Sequence, residues 1–234
     1  MERHVAHGIM ELMRKWVKWL YGAWAVVTFV IVFAKGGLSA DNVTHAGIII
    51  FFFITLWIYR WRKGKPVAQP KRYFITWCVF GAAVVEGCYM ITAPVFSSLR
   101  ITHSMAFGLM VQKYATDLVF TIPAYLLIFY VVWRLIQKYE YSPWEYALLV
   151  GFGQAMGDGS RAFLFNPALL IFLPYVMINY HAMNVAPYLA VRDQVQSKGQ
   201  KGFWKWAAPP VFIFCAYVAS GLVIYTVGAL FGLK

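Results

Sequence analysis

Seven apolar stretches, each near the ~17–25 residues a membrane-crossing helix needs, take up most of this chain. They fall at about 17–34, 43–59, 73–96, 115–133, 144–165, 168–191 and 208–232. The second is short, and the fifth carries Asp158 and Arg161 inside its apolar run. Of the 234 residues, 61% are hydrophobic and only 13% charged, against about 25% charged in a soluble domain. The expected fold is therefore an all-α polytopic membrane protein, a bundle of about seven transmembrane helices forming one domain over 17–234. Residues 1–18 read as an amphipathic segment lying along the cytosolic surface. They carry two acids and no small-residue cleavage site, unlike a cleaved leader.

Charge sets the expected orientation. The net charge of +12 comes from 21 Lys and Arg against 9 Asp and Glu. Four cations precede or open the first stretch, six lie in 60–72, two in 134–143 and four in 192–206, whereas the alternate connections hold one, two and one, and Lys234 ends the chain. By the positive-inside rule the N-terminus is cytosolic and the C-terminus lumenal. The basic balance is thus a topology signal, and no contiguous basic face of the kind nucleic acid needs is evident. Asn42-Val-Thr44 forms a glycosylation sequon on the side expected to be non-cytosolic.

Several chemistries are excluded by their missing residues. A retinal protein needs a lysine inside the last helix, and 208–232 contains none. A membrane cytochrome needs facing histidines, but only His181 lies clearly within a stretch. Cys78, Cys88 and Cys215 have no paired spacing, so they read as buried thiols. No HExxH, GxSxG, phosphate-binding loop or CxxC occurs. No metal or cofactor is expected.

The polar residues inside the apolar stretches are the candidate site. Glu86 is 13 residues into its stretch, roughly 20 Å at helical rise, which places it near mid-membrane. A carboxylate there costs roughly 2.5–3.5 kcal/mol on insertion scales, so it calls for a partner or a task. Asp117 opens its stretch, where free backbone amides stabilise a carboxylate, and a helix cap competes with a catalytic role. Gln154 and Asp158 are spaced i,i+4, and Asp158 and Arg161 i,i+3, so the three share a face and an ion pair is one outcome. Asn179, His181 and Asn184 stud the sixth stretch between Pro174 and Pro187. Interhelical hydrogen bonding and pocket lining are both open to them. Tyr89, Tyr125, Tyr175 and Tyr180 lie at depths where a ring can stabilise a cation.

With these residues in view, the chain resembles the EXPERA group of endoplasmic-reticulum proteins, which contains a sterol isomerase and a lipid-binding receptor. Asp117-Leu-Val-Phe-Thr-Ile-Pro123 is similar to an acid-L-V-F-x-x-P stretch of the group, with Asp for Glu. Gly153-Gln154-Ala-Met-Gly157-Asp158 resembles a G-Q-x-x-G-D run, and Val85-Glu86-Gly87 a hydrophobic-E-G at a catalytic acid. Val185-Ala-Pro187-Tyr-Leu-Ala-Val-Arg-Asp193 resembles an A-P-Y-L run in one member of the group and a P-x5-D pattern in the other, and Asn179 and Asn184 are the candidates for the group's pocket asparagine. The matches run in order over about 73–195. Two positions depart from the isomerase, whose histidine is Ala82 here and whose cation-stacking tryptophan is Met183. His181 is the candidate replacement for that histidine.

The resemblance implies a five-helix core with two added helices, in the endoplasmic-reticulum membrane, around a cavity for a hydrophobic polycyclic ligand. It further implies a cofactor-independent isomerase in which Glu86 and Asp117 protonate and deprotonate the ends of a sterol or terpenoid double bond. Tyr89, Tyr125, Gln154, Asp158, Asn179, His181 and Asn184 would line the substrate. A non-catalytic sterol-binding receptor or trafficking factor, and a membrane terpenoid cyclase, are the alternatives.

Overall fold

The computed structural model of the chain describes residues 2–158 and 160–233, and all side chains within them except those of 2–15, 17, 160, 161 and 164. The described backbone is helical and contains no strand. Its helices are α1 (Glu2–Gly36), α2 (Ala40–Arg62), α3 (Pro70–Tyr89), α4 (Phe107–Lys138), α5 (Pro143–Asp158), the short α6 (Ser160–Phe165), α7 (Leu173–Val191) and α8 (Trp204–Leu230). Five segments are long and apolar enough to cross a membrane: Lys18–Gly36, Ala40–Arg62, Phe107–Lys138, Pro167–Gln194 and Trp204–Leu230. The protein is a multi-pass membrane protein whose apolar helices suit a lipid bilayer.

Local chemistry fixes the helix starts. Pro70 and Pro174 occupy first-turn positions in α3 and α7, where the missing N–H is no loss. Ser39 Oγ accepts the Asn42 N–H at the start of α2. At α5, Ser142 N–H donates to Glu145 Oε2 at 2.7 Å, while Glu145 N–H donates to Ser142 Oγ. That reciprocal pair is a capping box, and Lys205 of α8 closes on the same carboxylate at 3.1 Å.

Helix α7 is the hub. It is buried along most of its length, polar residues included, as a surrounded helix is, and packs against α1, α2, α3 and α5. Helix α8 packs on α4 and α5. Gly81 lets α3 lie directly on the α7 backbone, since a Cβ there would sit 2.9 Å from Met183 Cα. The connections after α2 and α7 join one end of the bundle. Val67 N–H donates to Gln194 Oε1, and Lys198 and Gln200 donate to the last carbonyls of α4. The cation-rich segments 60–72, 134–143 and 192–206 therefore meet on one face.

Several expected boundaries move. The third stretch ends as helix at Tyr89, and residues 90–106 form a connection with one 3-10 turn at Ser97–Leu99. Glu86 thus lies in the last turn of α3, not in the middle of a longer helix. Helix α4 begins at Phe107, so Asp117 lies ten residues inside it and does not cap its own start. The fifth stretch carries α5 and α6 on either side of residue 159, which lies outside the described residues, and a 3-10 helix spans Pro167–Phe172 before α7. Helix α1 runs unbroken through residue 18, and the side chains that would make 2–15 amphipathic lie outside the described ones. The Asn42 side chain is 2% exposed, donates to Val32 and Gly37 carbonyls and accepts the Tyr175 hydroxyl, so the sequon is folded inward.

Candidate active site

A cavity of about 620 Å³ lies among α3, α4, α5, α7 and α8, closed at one side by His45 of α2 and by residues 93–95. This volume falls within the ~300–1,000 Å³ of small-molecule pockets. Two carboxylates line it, Glu86 and Asp158. Among the described residues no lysine or arginine does.

Each carboxylate holds a tyrosine. Tyr125 of α4 donates its hydroxyl to Glu86 Oε1. Tyr180 of α7 donates to Asp158 Oδ2 at 2.6 Å. Helix geometry explains both placements. Glu86 is on the α3 face that turns toward α4, and Asp158 follows Gly157 on the α5 face that turns toward Tyr180 of α7. The wall carries six tyrosines in all: Tyr89, Tyr125, Tyr175, Tyr180, Tyr217 and Tyr225. Gly157 admits the Tyr217 ring, because a Cβ there would meet its Cγ at 2.8 Å, and that ring stands edge-on to Tyr180. Leu222 and Tyr225 line the cavity yet are 66% and 60% exposed on α8. At that point the cavity reaches the apolar outer surface of the bundle.

A second polar chain runs along the α2 side. His45 Nδ1 lies 3.0 Å from the Asp41 carbonyl, and its Nε2 lies 3.2 Å from Tyr89 Oη. Asn179 Nδ2 donates to the same Tyr89 oxygen at 2.6 Å. Tyr175 stacks on His45 with 3.7 Å between ring centres.

Of the residues expected from sequence, the structure brings Glu86, Tyr89, Tyr125, Asp158 and Asn179 to this cavity. Four others are not among its lining residues. Asp117 is 0% exposed, and its Oδ1 accepts the Val95 N–H at 3.0 Å, so it braces the connection behind the wall. Gln154 accepts Asn184 Nδ2 at 2.6 Å, an α5–α7 contact in the packed interior. His181 Nε2–H donates to the Ala147 carbonyl, again between α7 and α5. The Arg161 side chain, expected beside Asp158, lies outside the described ones.

Sequence reasoning passed over His45, Tyr217, Tyr225 and Thr121 as site residues. A signal for His45 existed: Asn42, Thr44 and His45 are polar in the first turns of α2 and all are buried. Tyr217 and Tyr225 had none, since nothing in the apolar sequence of α8 marks which of its faces turns inward. No family model, curated protein or solved structure matches the chain.

Proposed function

We propose that this protein is a membrane-embedded, cofactor-independent isomerase that shifts a double bond in a sterol or polycyclic terpenoid, with Glu86 and Asp158 as its acid–base pair. One observation carries the reading: two carboxylates, each holding a tyrosine hydroxyl, share one tyrosine-lined cavity that reaches the outer surface. Asp158 takes the place that the sequence assigned to Asp117, because Asp117 is turned to Val95.

The chemistry is redox-neutral. The Glu86 carboxyl donates its proton to one alkene carbon, and the π pair becomes the new C–H bond. The neighbouring carbon is left cationic, facing tyrosine rings that stabilise it. The Asp158 carboxylate then takes a proton from a different carbon, and that C–H pair becomes the shifted double bond. Resetting the pair moves a proton from Asp158 back to Glu86 through exchange with water. The opposite tasks require the two carboxyls to differ in proton affinity.

The resemblance to the EXPERA group supports the same reading, and with it we propose an endoplasmic-reticulum location, a seven-helix arrangement around a five-helix core and a cytosolic N-terminus. The meeting of the cation-rich segments on one face supports that orientation. A second reading, cyclisation of an acyclic terpenoid, is favoured by the tyrosine wall, since six rings can shield a cation that migrates.

The test incubates the purified protein in deuterated water with sterols, polycyclic terpenoids and acyclic isoprenoids. Deuterium in a product of unchanged ring count, lost in Glu86→Gln and in Asp158→Asn, supports isomerisation. Deuterium in a product with new rings moves the assignment to cyclisation. Tight binding with no label leaves a non-catalytic binder.

A further inference from the structure

We infer that the cavity recognises an apolar ligand through a hydroxyl group, which donates to Asn179 Oδ1, and that the Asn179 amide is aimed by a one-way hydrogen-bond chain beginning at the Asp41 carbonyl. The inference rests on taking this cavity as the substrate site, and it names the polar group the substrate must carry.

The direction of the chain follows from its first member. A backbone carbonyl only accepts, so His45 Nδ1, 3.0 Å from the Asp41 oxygen, carries the proton. In the neutral imidazole Nε2 is then an acceptor. The Tyr89 hydroxyl, 3.2 Å away, must donate to it. With its hydrogen committed, the Tyr89 oxygen accepts from Asn179, which fixes Nδ2 on that side at 2.6 Å. Asn179 Oδ1 is the end left over.

That oxygen meets no donor among the described residues, although it is buried. Asn179 is 5% exposed and belongs to the cavity wall. A buried amide oxygen ordinarily has a partner, and an alcohol on a bound ligand supplies one. A methyl ether or a ketone cannot, since each would bring lone pairs against lone pairs. The ring stack of Tyr175 on His45, and the Tyr175 hydroxyl held by Asn42 at 3.1 Å, keep the imidazole from turning. His45 and Tyr89 are positioning residues in this scheme, and Asn179 touches the ligand.

The test compares alcohols with their own methyl ethers: cholesterol with its 3-methyl ether, and geranylgeraniol with its methyl ether. Binding to the full-length protein in detergent is measured with tritiated ligands. The expected result is about tenfold tighter binding of the alcohol in at least one pair. Asn179→Leu brings that ratio to near one, and Tyr89→Phe lowers it several-fold by freeing the amide to turn. The ratio is the informative quantity, since general loosening of the cavity weakens both members of a pair alike. Equal binding or no binding across both pairs overturns the inference. So does a wild-type ratio retained by the two variants. Alcohol preference without deuterium incorporation removes the isomerase and spares the hydroxyl site, whereas incorporation without preference does the reverse.

Discussion

Tyr180 of α7 donates its hydroxyl to Asp158 Oδ2 at 2.6 Å, joining the hub helix to α5. Tyr125 of α4 makes the same kind of bond to Glu86 in the last turn of α3. Each acid is thus steadied by a tyrosine from a different helix. A hydroxyl bonded to one carboxyl oxygen restricts the side chain's rotation and directs the other oxygen elsewhere, which is how an acid–base group is positioned.

Glu86→Gln and Asp158→Asn should each lower deuterium incorporation by about 10²–10⁴-fold, the range of a lost general acid or base. Tyr180→Phe should lower it less, because Asp158 remains but loses its orienting donor. Incorporation is read by mass spectrometry of the recovered ligand. Full activity in Asp158→Asn would remove that residue from the chemistry.

Asp117 separates a bracing acid from a reacting one. Asp117→Asn keeps an oxygen for the Val95 N–H, so folding and deuterium incorporation should both stay near wild type. Asp117→Leu leaves that buried amide unpaired, at a cost of about 1–3 kcal/mol, seen as a lowered midpoint of thermal unfolding in detergent. Loss of incorporation in a well-folded Asp117→Asn protein would return Asp117 to the reacting pair.

Gly81→Val should destabilise the α3–α7 contact. The added Cβ meets Met183 Cα and its carbonyl oxygen at 2.9 Å, and backbone atoms cannot swing aside as a side-chain tip does. Overpacking of this kind costs about 1–3 kcal/mol. An unchanged unfolding midpoint would mean the two helices are further apart.

Asn42 should act as a structural tie, not a glycan acceptor. Its amide bonds to the end of α1 and to Tyr175 of α7 while sitting in the first turn of α2. Asn42→Ala should lower stability by about 1–3 kcal/mol by stranding buried partners. The protein made in a glycosylating host should show no shift on deglycosylation. A glycan-sized shift that disappears in the variant would contradict the buried placement.

Gln154 and Asn184 should behave as a coupled pair. Leucine at either position alone strands a buried amide, whereas leucine at both removes the two polar groups together. The double variant should therefore lose less stability than the sum of the single ones, with a coupling of about 0.5–3 kcal/mol. Simple additivity would show that the pair does not interact.

Much of the fold was legible because lipid imposes it. In hydrocarbon the backbone must satisfy its own hydrogen bonds, so long apolar stretches such as Ala40–Arg62, Phe107–Lys138 and Trp204–Leu230 read directly as helices. Ends were less legible. The apolar run that holds Glu86 continues past Tyr89, where the helix stops, and Asp117 looked like a helix start because its apolar run begins there while the helix begins earlier, at Phe107.

Of the candidate site, sequence determined the acids, amides and tyrosines available, since polar groups stand out against an apolar background. It did not determine which of them meet. Asp117, Gln154, His181 and Asn184 are as polar as the residues lining the cavity and more deeply buried than Glu86 and Asp158, but their partners are Val95, each other and the Ala147 carbonyl. Only the tertiary structure decided that Asp158 shares a cavity with Glu86 and that His45 joins them from α2. The physical reason is that sequence spacing fixes a side chain's angle on its own helix, whereas the rotation and depth of each helix against its neighbours come from packing around α7.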